Sequence, residues 1–490
     1  MENLIIQSKK KITLDKFSSS IKFSVSNEIK SILNVSAKSV LNALDQSNNV
    51  LTCGGRVFVK VIYLDVEGRV KAGEGSVDFI EKQQVLTPLA DMSGSDEVQV
   101  VVDTFSGTEI LCSVTHNTHI FGIYKQEIAD FVGENTSFVL NKKEFVSQKF
   151  IVSNSDNFVV AEEQESNVLN MDILSSNAKI LNYEIVAAVD KVIIEGKILT
   201  ETIYADGEGV STIFKEHEFK HEIETNSAMP NMISYAHIEV KNVTVTPEEK
   251  DNKTNIIYAI DVYAKVYVFD DKTYEIANDM FALDSEIQNT YDVLEIENFS
   301  STKYLNDNII SFTNVSDIEN FDDIIGVYSP YAKIENVLNE ELKVVVEGKI
   351  FAYALYKSGE EIKKLDISCL FKTEVEKEAN EIYDDSNFVA EISSFKVKAG
   401  KELETAIKLT TCVSLKKCLS ETFVKSFEIK DSKPVDEGGI KVYVAHEGET
   451  VFDVAKVLSV RPEIIEEQNE IDGVFEQGEK IYVYSPINYN

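Results

Sequence analysis

One pattern occurs three times in this chain, and the spacing of its copies limits the fold more than any other property. VLTCGGRVFVKVIY (50–63), DKVIIEGKILTETIY (190–204) and LKVVVEGKIFAYALY (342–356) each place a glycine before a basic residue: Gly55-Arg56, Gly196-Lys197 and Gly348-Lys349. Each then reaches a tyrosine eight residues after that glycine, at Tyr63, Tyr204 and Tyr356. The glycines are 141 and 152 residues apart, the size of a whole domain rather than of a solenoid repeat. Upstream, an Ala-Lys pair recurs (Ala37-Lys38, Ala178-Lys179, Ala332-Lys333) shortly after an Ile-Leu or Ile-Ile step. Downstream come a Gly-containing turn, a segment centred on Phe79, Phe219 or Phe371, and the alternating runs VQVVVDTF, HIEVKNVTV and FVAEISSFKVK.

The repeated segments are rich in β-branched and aromatic residues and are bounded by turn formers, which predicts strands. An even spacing puts glycine and tyrosine on one strand face. Apolar residues at odd offsets (Phe58, Leu199, Phe351) cover the other face as well, which fits a sandwich. The glycine within a strand predicts a bulge or a close backbone approach. Residues 4–24, 137–153 and 291–305 read as the opening strands of the three copies. NEIKSIL (27–33) and DIENFDDII (317–325), with apolar spacings of three and four, read as short helices. The expected architecture is mainly β: three tandem β-sandwich-like modules at about 1–130, 131–286 and 287–430.

Residues 431–439, DSKPVDEGG, have the composition of a linker. Beyond them, Lys441–Val444 alternates as a strand and His446–Glu449 turns. Thr450 is placed to cap a helix, with Asp453 at the capping-box position and an apolar stripe at Val451, Val454, Ala455 and Leu458. Pro462 can open a second helix ending near Asn469, and Lys480–Tyr484 a last strand. The order is βααβ over 440–487.

This ending resembles a LysM domain, on KVYVAHEGETVFDVAKVLSV, on Asn469 and on EQGEKIYV (476–483). The resemblance implies a shallow groove for N-acetylglucosamine-containing glycans, lined by Gly448, Glu449, Thr450 and Val451 and by Asp472, Gly473 and Val474. Two departures favour a protein ligand instead. Glu449 stands where the family has aspartate, and residues 441–486 carry ten acidic against four basic side chains. The repeated unit resembles the SPOCS domain of Firmicutes sporulation proteins, and SPOCS units followed by LysM are the arrangement of clostridial spore-coat morphogenetic proteins. That resemblance implies a non-catalytic scaffold in the mother cell cytoplasm at the forespore surface. Its implied partners are the basement-layer ATPase SpoIVA and other coat proteins.

Composition narrows the alternatives. A net charge of −35 disfavours nucleic acid and anionic lipid as partners. No segment has the roughly 18 uninterrupted apolar residues of a spanning helix, and the N-terminus lacks a signal-peptide pattern. Five cysteines without a CxxC pair fit buried, reduced thiols. His217-Glu218-Phe219-Lys220-His221 matches HExxH, but that zinc chemistry needs a helix. Here Phe219, His221 and Ile223 alternate, so two exposed strand histidines are expected. His116 and His119, three apart on a strand, face opposite ways. No phosphate-cradling glycine loop, nucleophile elbow or Cys-His set stands out, so no cofactor is expected. Three functions remain: a coat-assembly adaptor, a cell-wall or cortex glycan binder, and a self-associating surface layer.

Overall fold

The computed structural model describes residues 2–130, 137–206, 209–250, 252–314, 323–359, 361–398, 402–432, 439–469, 471 and 473–485. The first module runs β1 (Glu2–Thr13), β2 (Phe17–Ser24), β3 (Ile29–Ser47), β4 (Val50–Asp65), β5 (Val70–Gln84), β6 (Leu89–Ser106) and β7 (Glu109–Asp130). The second runs β8 (Phe138–Ser166), β9 (Asp172–Ala188), β10 (Lys191–Ala205), β11 (Val210–Glu224), β12 (Ile233–Lys250) and β13 (Lys253–Ala282). The third runs β14 (Ser285–Asn314), β15 (Asp323–Asn339), β16 (Lys343–Ser358), β17 (Glu361–Glu376), β18 (Glu381–Lys398) and β19 (Glu402–Ser432).

All three share one topology. The Gly-basic-Tyr strand is the centre of one antiparallel sheet: β3-β4-β5, β9-β10-β11 and β15-β16-β17. The last strand is the centre of the other: β12-β13-β8, β14-β19-β18, and in the first module β7 between β6 and the tandem β1 and β2. The two sheets bury their facing sides against each other. In the first module Val57, Val59, Val61 and Tyr63 meet Ile110, Cys112 and Val114. In the third, Val344, Val346 and Ile350 meet Leu403, Ile407 and Leu409 of β19.

The repeated glycine has the same task in each copy. In register it stands opposite the repeated phenylalanine, as Gly55–Phe79, Gly196–Phe219 and Gly348–Phe371. A Cβ on it would come within 2.5 Å of the Val40 carbonyl oxygen, 2.3 Å of that of Asn182 and 2.3 Å of that of Lys333. On the neighbouring strand a register shift falls beside it, between Leu41 and Ala43, between Ile180 and Asn182, and between Ile334 and Asn336. Bulge and close approach are therefore one feature.

Two sequence expectations change. NEIKSIL is strand, not helix, because Ile29–Leu33 open β3. Register shifts between Ile29 and Ser31 and between Ile32 and Asn34 turn an alternation of two into spacings of three, which imitate a helix. Residues 317–322 of DIENFDDII lie outside the described residues, and Asp323–Ile325 open β15 as strand.

The modules gather around shared clusters rather than following one another as beads. In one, the paired strands β1/β7, β8/β13 and β14/β19 contribute Ile6, Ile128, Phe145, Tyr274, Leu294 and Phe423 to one apolar cluster. In another, the residue before each repeated tyrosine (Ile62, Ile203 and Leu355) enters a common cluster with Leu174 and Val210.

Candidate functional site

The chain closes with β20 (Gly439–Val444), α1 (Val451–Leu458), α2 (Pro462–Asn469) and β21 (Lys480–Ser485), with β20 and β21 antiparallel. Thr450 caps α1: its hydroxyl accepts the Asp453 N–H at 3.2 Å, and the Asp453 carboxylate accepts the Thr450 N–H at 2.8 Å. Val454, Ala455, Ile465, Phe475, Ile481 and Val483 form the core. The Asn469 side chain acts as a surrogate strand: its Oδ1 accepts the Tyr482 N–H and its Nδ2 donates to the Tyr482 carbonyl, both at 2.8 Å. Gln468 does the same for Tyr484.

The two loops singled out in the sequence meet. Thr450 and Val474 form an isolated antiparallel bridge, and the Phe475 N–H donates to the Glu449 carbonyl at 2.8 Å. Gly448 and Gly473 adopt positive φ, +87° and +105°, which a side chain would strain. Asp472 lies outside the described residues. Val474 is exposed, whereas Val451 is buried in the core. Glu449 accepts from the Tyr443 hydroxyl and from the His446 N–H, both at 2.8 Å, and that hydrogen bond raises the Tyr443 pKa. The Glu449 and Thr450 side chains are thus engaged within the turn, with the Thr450 hydroxyl donating to Asp453.

Sequence reasoning missed how this unit is seated. Phe452 of α1 packs edge-on against Phe281 at the end of β13, 5.3 Å between ring centres. Four residues on, Lys456 reaches Asp279 at 2.5 Å. Burial works against the Asp279 carboxylate, but hydrogen bonds from Lys456, Tyr291 and the Met280 N–H hold its pKa below the ordinary value. Phe452 and Lys456 share a helix face by their spacing, the one signal of this contact in the sequence.

The repeated Ala-Lys lysine also has a role the sequence left open. Lys179 forms an ion pair with Glu391 of the third module. Burial lowers the Lys38 pKa to about 8, opposed by Glu239 of the second module. Lys333 is exposed. Where the three modules meet, a cavity of about 380 Å³ is lined by Lys9, Lys10, Lys11, Glu297, Asp384 and Lys416. The Lys9 ammonium lies 3.7 Å from Asp384 and 3.4 Å from the Tyr235 ring centre, and burial lowers its pKa to about 8. Nearby, burial lowers the His237 pKa to about 4, reinforced by Lys241, Lys9 and Lys265.

The HExxH stretch lies on β11, where residues four apart are roughly 13 Å from each other along the strand. His217 is 0% exposed, which corrects the expectation of two exposed histidines. It sits on the inward side of its strand, hydrogen-bonded to Glu162 at 2.8 Å and Thr200 at 2.9 Å. His221 bonds Asp156 at 2.9 Å and stacks on Phe158. Among the described residues no group of three or more His, Cys, Asp or Glu is placed to hold a metal. Cys53, Cys112 and Cys412 are buried and unpaired; Cys418 departs from the expectation by being exposed.

Residues 171–248 match the family model of the SipL, SPOCS domain. The match runs through β9, β10, β11 and most of β12, and so takes in the Ala-Lys element and the Gly-Lys strand of the second module. No curated protein and no solved structure matches the chain.

Proposed function

We propose that this chain is a spore-coat morphogenetic adaptor: a non-catalytic scaffold whose acidic C-terminal unit docks a protein partner. The observation that carries the reading is the SPOCS match, at residues 171–248, within a sandwich that recurs three times in the chain. The LysM assignment of the C-terminal unit rests on its βααβ order and on the sequence resemblance. Protein docking is favoured over glycan binding because Glu449 and Thr450, in the groove expected for sugar, are engaged in the turn itself. The partners this reading assigns are SpoIVA and other coat proteins, met in the mother cell cytoplasm at the forespore surface. Among the described residues no helix is long and apolar enough to cross a membrane.

The test images a tagged protein in sporulating cells, with and without residues 431–490. The adaptor reading requires a signal around the forespore that depends on SpoIVA and on the C-terminal unit. A diffuse signal, or forespore localisation indifferent to SpoIVA, refutes it. Saturable binding of the full chain to chitooligosaccharide, lost on Val474→Lys, would favour a cell-wall or cortex glycan binder.

A further inference from the structure

The outer edge of β20 is open among the described residues. β20 pairs only with β21 among the described residues. The Ala445 N–H donates to the Glu479 carbonyl, which fixes the phase of the ladder. Residues 441 and 443 then bond inward to β21, and the N–H and C=O groups of Ile440, Val442 and Val444 point to the open side. The far edge of β21 is closed by Gln468 and Asn469. The side chains of Ile440, Val442 and Val444, with Tyr482 and Tyr484, are 50–70% exposed and form one apolar sheet face. Edge strands are normally blunted by charge, proline or a bulge. β20 carries one charge, Lys441, whose ammonium is turned back to the Leu458 carbonyl at 2.9 Å.

We propose that β20 is a self-pairing edge, joining antiparallel to the β20 of a second copy about a twofold axis at Val442. That register sets Val442 against its mate and Ile440 against Val444, so the outward backbone groups of both strands meet each other. Lys441 falls opposite Tyr443, so no like charges face across the join. The sheet becomes four strands wide, with a doubled apolar face. Six residues a side bury well under the roughly 800 Å² per partner of a standard interface. The pair is therefore weak in solution and gains strength where copies are crowded on a surface. This goes beyond the adaptor reading and fails separately from it, since localisation does not report self-pairing.

The test is sedimentation of the full chain from roughly 1 to 300 µM, beside Val442→Lys, with disulfide trapping as a second measurement. For trapping, Val442→Cys is made in a Cys418→Ser background and oxidised with diamide; Cα atoms about 5.5 Å apart in a bonded pair are within disulfide reach. Tyr482→Cys, on the same face but on the inner strand, is the control. Supporting results are a concentration-dependent dimer abolished by Val442→Lys, and a crosslink at 442 but not at 482. A monomer throughout with no trapping at 442 overturns the proposal and leaves the face to a different protein. A dimer that survives Val442→Lys overturns it by placing the contact elsewhere.

Discussion

Gly54 and Gly55 are neighbours on β4, yet alanine at the two sites should behave very differently. At Gly55 a Cβ would lie 2.5 Å from the Val40 carbonyl oxygen and 2.8 Å from the Phe79 ring. The first of those is backbone and cannot turn aside, so β3 must move away and the bulge beside it must reform. Overpacking of this kind costs about 1–3 kcal/mol. At Gly54 the nearest atoms are at 3.5–3.6 Å, ordinary contact. There alanine adds only a reduction of unfolded-chain freedom, which stabilises by about 0.4–1 kcal/mol. Hydrogen exchange on the full chain reads each change locally, without requiring the modules to unfold together. Gly55→Ala should speed exchange of β3 and β5 amides by about 5- to 150-fold, whereas Gly54→Ala should leave them unchanged or slower. Equal effects at the two glycines, or no acceleration at Gly55, would refute the close-approach account.

The module junction offers three further expectations. The folded His237 pKa, near 4, lies below the ordinary imidazole value of 6.5, so only the unfolded chain takes up a proton between those limits. Stability should therefore fall as pH drops from 6.5 towards 4, by about 3 kcal/mol at most, and His237→Gln should flatten that dependence of β12 exchange. Lys179→Met strips the partner from Glu391 and should loosen the second module from the third, seen as a larger radius in X-ray scattering, while Lys333→Met should leave it unchanged. Phe281→Ala removes the ring that holds Phe452 and should free the C-terminal unit, detected as faster exchange at Val139 with the ladder amides of Lys441, Tyr443, Ile481 and Val483 still protected.

Much of the fold was legible because the recurring glycine and the Thr450–Asp453 cap are tied to backbone demands that any sequence must meet. Gly55, Gly196 and Gly348 answer to a carbonyl oxygen, and Thr450 with Asp453 to the free amides at the start of α1. What escaped was set by tertiary packing. The bulges at Ile29–Asn34 disguised a strand as a helix, since periodicity cannot register a residue that the ladder skips. His217 reads as a polar strand residue until Glu162, 55 positions away, is seen beside it. The seating of Phe452 on Phe281 and the open edge of β20 depend on what lies next to them in space, which no local pattern records.

The convergence of Ile62, Ile203 and Leu355, together with the cluster shared by β1/β7, β8/β13 and β14/β19, bears on how such a chain can evolve. In a solenoid each unit touches only its neighbours, so units can be gained or lost one at a time. Here each copy supplies part of the same two clusters, and removing one would expose the apolar shares of the other two. Losing a copy is thereby costly, and divergence is left to the surfaces that face outward.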